Sequence, residues 1–289
     1  RYRRVEGEGV YEIPVGPVHA GVIEPGHFRF SVAGEPIIAL EVRLGYVHRG
    51  VEKISESTPY RKGVFLSERI SGDSSVAHST AYCQAVERLS GIEVPERVEN
   101  VRTVLLEMER LYNHIGDIAG IALDTALAVP AADGYVLRER LLQLNERLTG
   151  SRLLRSVNAI GGVNKDLSRE ESVKIISRLV GVRLKFEKLA STMLSSVSML
   201  DRVEGTGRLD REKARQLACV GPVARASGLD SDVRRDHPYA AYRRMSFRVP
   251  VRDGGDAYAR TMVRVDEVRE SFAIIEQALD GMPGGGIRA

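Results

Sequence analysis

Two periods of apolar residues run through the chain. Phe28, Phe30 and Val32 alternate with polar neighbours, as do Ile38, Leu40 and Val42, with Ala33-Gly34-Glu35 between the two runs. A period of two places every second side chain on one side of a pleated strand, so this stretch predicts a hairpin with one buried face. Further on the period lengthens. Val101, Val104, Leu105, Met108, Leu111, Tyr112, Ile115, Ile118, Ala119 and Ala122 recur at helical spacing and predict a long core helix, with Glu107, Glu109, Arg110 and Asp117 on much of its remaining surface. Leu137, Leu141, Leu142 and Leu148 predict another over 134–149, interrupted at Gly150. Ser168 followed by Glu171 is a capping-box signature for a third, whose core stripe runs from Ile175 through Phe186 to Leu200, with Gly181 marking a bend. A shorter helix over 210–220 is expected to stop at Gly221-Pro222. Phe247 and Val249 suggest a short strand, and Tyr258, Val265, Phe272 and Leu279 lie on a final helix.

Composition narrows the class. With 289 residues, 43% apolar and 28% charged, the chain can bury a substantial core and reads as globular. A net charge of +3 is spread along the chain without a basic tail, so nothing points to nucleic acid. Cys83 and Cys219 are isolated, which gives no disulfide framework and no zinc pattern; a single bridge and a reducing compartment both fit. Neither an apolar run near 18 residues nor a signal-peptide pattern occurs, so no bilayer span is expected and any membrane attachment is indirect.

Candidate chemistry centres on ERISGDSSVAHSTAYCQAVE, residues 68–87. It opens on the charged pair Glu68-Arg69, turns at Gly72-Asp73 and enters a segment whose Ala, Tyr, Cys and Val residues can bury one side of a helix. Ser71-x-x-Ser74 puts two hydroxyls on one turn. Thiols at that spacing would chelate a soft metal, whereas neutral hydroxyls bind nickel, iron or zinc poorly. The local alternative is a helix cap in which Ser74 or Ser75 accepts a backbone N–H. His19 sits in a constrained Pro- and Gly-rich loop, and His48, Arg49, Glu52 and Lys53 crowd GYVHRGVEKI, where a helix start or an ion-pair cluster is the plain reading. Glu107 and His114 are proton-route candidates set against a buried structural hydrogen bond.

These phrases carry a resemblance. The 68–87 segment resembles the first metal-binding motif in the large subunit of complex I-like nickel-iron hydrogenases of the formate hydrogenlyase type, with Ser71 and Ser74 where that family holds cysteines. GYVHRGVEKI is similar to a signature those subunits share with the 49 kDa quinone-site subunit of respiratory complex I. The phrases GPVHAGVIEPG, VRTVLLEMERLYNHIGDIAG, GSRLLRSVNAIGGV and VGPVARASGLDSDVRRDHPYAAY follow in the family's order, so that the likeness extends from about Gly16 to Leu279.

The resemblance implies a mainly α, α+β fold: long core helices with a small N-terminal antiparallel β portion over 1–60, continuous with a helical core over 61–289. It also implies an iron-sulfur small subunit and membrane subunits as partners, holding the chain peripherally on the cytoplasmic side of the cell membrane. A working hydrogenase of this kind holds nickel and iron between two cysteine pairs. Here the early pair is Ser71 and Ser74, Cys83 and Cys219 match neither frame, and the chain, read as shortened at both ends, closes before a second pair. No metal ligand and no tightly bound cofactor is therefore expected, with quinone the cofactor the related NADH-quinone enzymes imply. In that reading His19, His48, Glu68, Arg69, Asp73 and His78 are the catalytic candidates, and His19, Gly72 and Asp73 mark the cavity, with Gly72 near the place of the tyrosine found in quinone-type sites. Arg152, Arg155, Arg234, Arg235 and His237 are expected at a partner interface. The function implied is a noncanonical large subunit of a redox complex; a catalytically silent assembly subunit and an altered, truncated hydrogenase subunit are the alternatives.

Overall fold

In a computed structural model, which describes residues 4–19 and 24–289, the chain divides into two compact units, Arg1–Ser57 and Thr58–Ala289. The first holds an antiparallel sheet of β1 (Val10–Val15), β2 (His27–Ala33) and β3 (Ile37–Arg43), in that order, followed by α1 (Val51–Ser57). Cross-strand rows such as Ile13, Phe30 and Leu40, or Val15, Phe28 and Val42, put aromatic against aliphatic side chains along one face. The expected full burial of that face is not found. In the sheet only Ser31 and Val32 are buried, while Leu40 keeps 49% of its surface exposed and Val42 46%.

The second unit is helical: α2 (Tyr60–Ser67), α3 (Ser75–Ser90), α4 (Glu96–Asp124), α5 (Ala128–Thr149), then a small hairpin of β4 (Asn158–Ala159) and β5 (Gly162–Val163), α6 (Arg169–Leu194), α7 (Val197–Val203), α8 (Arg211–Gln216), α9 (Gly221–Ala226), α10 (Val233–Asp236) and α11 (Ala257–Asp280). Among the described residues no helix is long and apolar enough to cross a membrane.

The centre of this unit is α4. Every residue from Val101 to Glu109 is buried, because α5 and α11 pack along it and α3 closes another side. Close approach of α4 and α5 rests on Gly134: a Cβ there would stand 2.7 Å from the Ala119 Cβ, so the two backbones meet where neither carries bulk. At the start of α6 the predicted capping box is present, Ser168 Oγ accepting from the Glu171 N–H and the Glu171 carboxylate from the Ser168 N–H at 2.7 Å. Gly181 makes no break, since α6 runs through it uninterrupted.

Two expected elements are corrected. Gly221-Pro222 begins α9 instead of ending α8, with the proline in the first helical turn, where its missing N–H leaves no donor unpaired. Phe247 and Val249 form no strand. The Phe247 ring lies against the Arg234 guanidinium, 5.0 Å from its centroid, and edge-on to Tyr242, so packing on side chains takes the place of a ladder.

Candidate functional site

The turn joining α2 to α3 carries most of the expected site, and its shape is set from two sides. From α4, the Tyr112 hydroxyl and the Asn113 amide donate to the Asp73 carbonyl at 2.6 and 2.9 Å. One turn earlier, the Glu109 carboxylate accepts the Val76 and Ala77 N–H groups at 2.7 and 2.9 Å. A carboxylate from a neighbouring helix therefore caps α3. Ser74 occupies the cap position but makes no side-chain cap bond, and the Ser75 hydroxyl instead donates to the Gly72 carbonyl. Burial pushes the Glu109 carboxyl up to about 8 in spite of those two amide bonds.

From the other side comes the loop after α5. Leu154 and Ser156 both hold positive φ, 54° and 62°, a conformation costly for residues with a Cβ. This backbone presents the Ser156 N–H to Glu68 Oε1 at 2.6 Å. Glu68 is 1% exposed, and its second oxygen, Oε2, has no hydrogen-bond partner. Burial raises its carboxyl above the ordinary value, against the opposing pull of the Ser156 amide, Arg69 and Arg155. Arg155 reaches the same turn: its Nη2 lies 3.3 Å from where a Cβ on Gly72 would stand. A side chain at 72 would have to push that guanidinium aside.

Glu68, Ser71, Gly72, Asp73 and Arg155 are thus brought to one turn, with the Ser71 hydroxyl donating to Asp73 Oδ1 at 2.6 Å. Arg69 points to the surface and donates to the Phe65 carbonyl, while His78 is half-buried on the first turn of α3. In the first unit, His19 Nε2 is 2.7 Å from the Gly26 carbonyl, and His48 is exposed after a short turn. Of the expected interface residues, Arg152 pairs with Glu139 at the surface, Arg235 with Asp230 and Asp236, and His237 is exposed. Arg234 is corrected: it is fully buried, so it touches no partner directly.

Arg234 belongs instead to an ionic network behind the turn. Its guanidinium meets Glu107 at 3.1 Å and Asp232 at 2.7 Å. Glu107 also accepts from the Tyr242 and Ser271 hydroxyls, and Arg110 bridges Glu107 and Glu267. Glu267 accepts from Arg225 and lies 2.7 Å from His114 Nε2. Burial pushes the Glu107 and Glu267 carboxyls up, but the guanidiniums and donors around them win and hold both below the usual range. Burial pushes His114 down against the upward pull of Glu267, whose carboxylate accepts from its Nε2. Three carboxylates, of Glu107, Asp232 and Glu267, then face three guanidiniums, of Arg110, Arg225 and Arg234. The network is balanced in formal charge. Glu68 and Glu109, both at the α2–α3 turn, are the carboxyls that burial pushes the other way.

Thiolate chemistry does not fit this turn. Ser71 and Ser74 offer neutral hydroxyls, and Cys83, buried on α3, has its thiol pushed up to about 12 by burial. A nickel-iron centre therefore has no early ligand pair among these residues.

Sequence reasoning gives Glu109, Tyr112 and Asn113 no place at the site. A signal for them exists in VLLEMERLY, where apolar residues surround both glutamates; on a helix apolar all round, such charges must be buried and partnered.

Comparison with known proteins gives the chain its kin. Residues 94–289 match the family described as "Respiratory-chain NADH dehydrogenase, 49 Kd subunit". The chain is 39% identical over 274 residues to formate hydrogenlyase subunit 5 of Escherichia coli, covering 94% of this chain and 48% of that protein. It is 38% identical to hydrogenase-4 component G of the same organism, with coverages of 94% and 46%. Against the NADH-quinone oxidoreductase C/D polypeptide of Phocaeicola vulgatus it is 35% identical, with coverages of 96% and 54%. The chain spans about half the length of these relatives.

Proposed function

Because this chain belongs to the family of the 49 kDa subunit of respiratory-chain NADH dehydrogenase, we propose that it serves as the large subunit of a complex I-like redox assembly. In this reading the α2–α3 turn borders a quinone-type or remodelled cavity and no nickel-iron centre. An iron-sulfur subunit supplies electrons from beside it, and membrane subunits hold the assembly on the cytoplasmic side of the membrane. The observation that carries this reading is Glu68, a buried carboxyl raised by burial, one oxygen of which accepts no hydrogen bond and meets only the Arg69 guanidinium at 3.7 Å, at the turn where serines stand in place of thiolates.

A quinone bound there would supply a two-electron, two-proton acceptor. Glu68 is suited to hold a proton on Oε2 and release it toward an acceptor oxygen, since a general acid works best with a pKa lifted toward the working pH. Arg155, Asp73 and Ser71 give the turn its polarity, and Arg69 and His78 are further polar candidates. The bond from Ser156 fixes the Glu68 carboxyl, leaving only Oε2 for exchange.

Metal and quinone content of the purified native assembly, together with the activity of Glu68→Gln, tests the reading. Bound quinone, no nickel in this chain, and a roughly 100-fold fall in quinone-linked turnover with an altered pH profile are expected. Nickel stoichiometric with the chain would overturn it. Gly72 at the tyrosine's place motivates a second reading, a catalytically silent assembly subunit; unchanged turnover in both Glu68→Gln and Asp73→Asn would favour that one.

A further inference from the structure

Several cations on and around α6 are held in ion pairs. On α6 itself, Lys174 meets Glu170 and Glu187 meets Arg269 of α11, while Arg183 reaches Glu276. Along the cleft between α5 and α6 a group of cations gathers without such pairs. Arg140, Arg147, Arg178, Lys185 and Lys188 are all exposed, and none has a carboxylate partner among the described residues. They line two hollows of about 790 and 490 Å³ that follow one another along the same helix pair and share Arg140. From Val129 to Arg147 the run along α5 is about 27 Å long at 1.5 Å per residue.

The floor is apolar. Leu144 and Val182 lie beneath the first hollow and Leu137 and Leu189 beneath the second, all buried, with Val173 and Val136 exposed at the edges. Gly181 adds a further observation. It sits inside an unbroken helix, where glycine costs about 1 kcal/mol relative to alanine, and a Cβ there would meet nothing within 4 Å. Neither the helix nor its packing requires glycine at this point; what its bare backbone leaves open is the wall of the first hollow.

We propose that the α5–α6 cleft is the docking trough for an acidic, apolar-faced segment of a partner polypeptide, about five helical turns long, whose backbone passes closest at Gly181. The excess of basic side chains over the one lining carboxylate, Asp133, selects the acidic partner, the buried apolar floor selects one with an apolar face, and the concavity suits a rod-like segment better than a flat lipid surface. The inference rests on the reading of the chain as a subunit of an assembly.

A photoreactive residue tests it: Gln143→p-benzoylphenylalanine inside the cleft and Ser191→p-benzoylphenylalanine outside it, each incorporated into the native assembly. Irradiation is expected to join position 143, and not 191, to an acidic segment of one co-purifying subunit, identified by peptide mapping. Arg140→Glu with Arg178→Glu should cut that adduct roughly 10-fold, with an unchanged thermal midpoint because both side chains are exposed. Adducts confined to phospholipid, adducts to a second copy of this chain, or labelling no higher than at position 191 overturn the proposal. An intact assembly with position 143 unreacted sinks the trough alone, whereas a chain that co-purifies with no other subunit sinks the assembly reading as well.

Discussion

A carboxylate that accepts two backbone amides at a helix start is ordinarily drawn down in pKa, yet at Glu109 burial outweighs both bonds and lifts the group to about 8 from an ordinary 4.5. The sign of the consequence follows. Between those two values the folded chain holds a proton that the unfolded chain has lost, so stability is fullest below about 4.5 and declines as pH rises to about 8. We expect the wild-type urea midpoint to fall across that window by the equivalent of a few kcal/mol. Glu109→Gln should start lower, by roughly 1–2 kcal/mol for the mismatched amide, and stay nearly flat. Parallel pH curves for the two proteins would rule the assignment out. Nothing near residue 109 in the sequence announces its partner, which lies more than thirty positions earlier. Glu68 is legible because it borders a turn; the bond that fixes its other oxygen is not, since that depends on the backbone of residues 154–156.

At the scale of elements, the buried network fastens α4 to α9, α10 and α11. Arg234→Met removes one guanidinium and leaves Glu107 and Asp232 short of a countercharge where neither meets water. Loss of a single partner from a buried pair costs about 3–5 kcal/mol, so a fall of that size in unfolding free energy is expected. Glu107→Gln in the same background should recover part of it, because the uncompensated charge goes too; strictly additive losses would argue against the coupling. The sequence discloses elements where one face alternates with water. The stripes of α4 and α11 and the capping box of α6 can be read directly, as they express local spacing. Arg234 reads as an interface residue because an Arg-Arg-Asp-His run resembles a surface, but Asp232 turns its side chain inward and the Arg234 guanidinium follows it onto Glu107. Phe247 and Val249 alternate like a strand and have none to pair with, so Phe247 packs on Arg234 instead.

For the molecule as a whole, the family and the mainly α architecture are both within reach of the sequence, while the α5–α6 cleft is not, because its cations lie on two helices whose separate patterns look like ordinary solvated faces. The helix start capped by Glu109 has one more consequence. The first amides of a helix lack intrahelical acceptors and, open to water, trade hydrogen for deuterium quickly. Those of Val76 and Ala77 end on a carboxylate carried by the most buried helix in the chain, and they can be released only when α3 leaves α4. Deuterium uptake there should therefore follow the slow clock of α4 rather than the fast clock of a frayed terminus, and Glu109→Gln should uncouple the two.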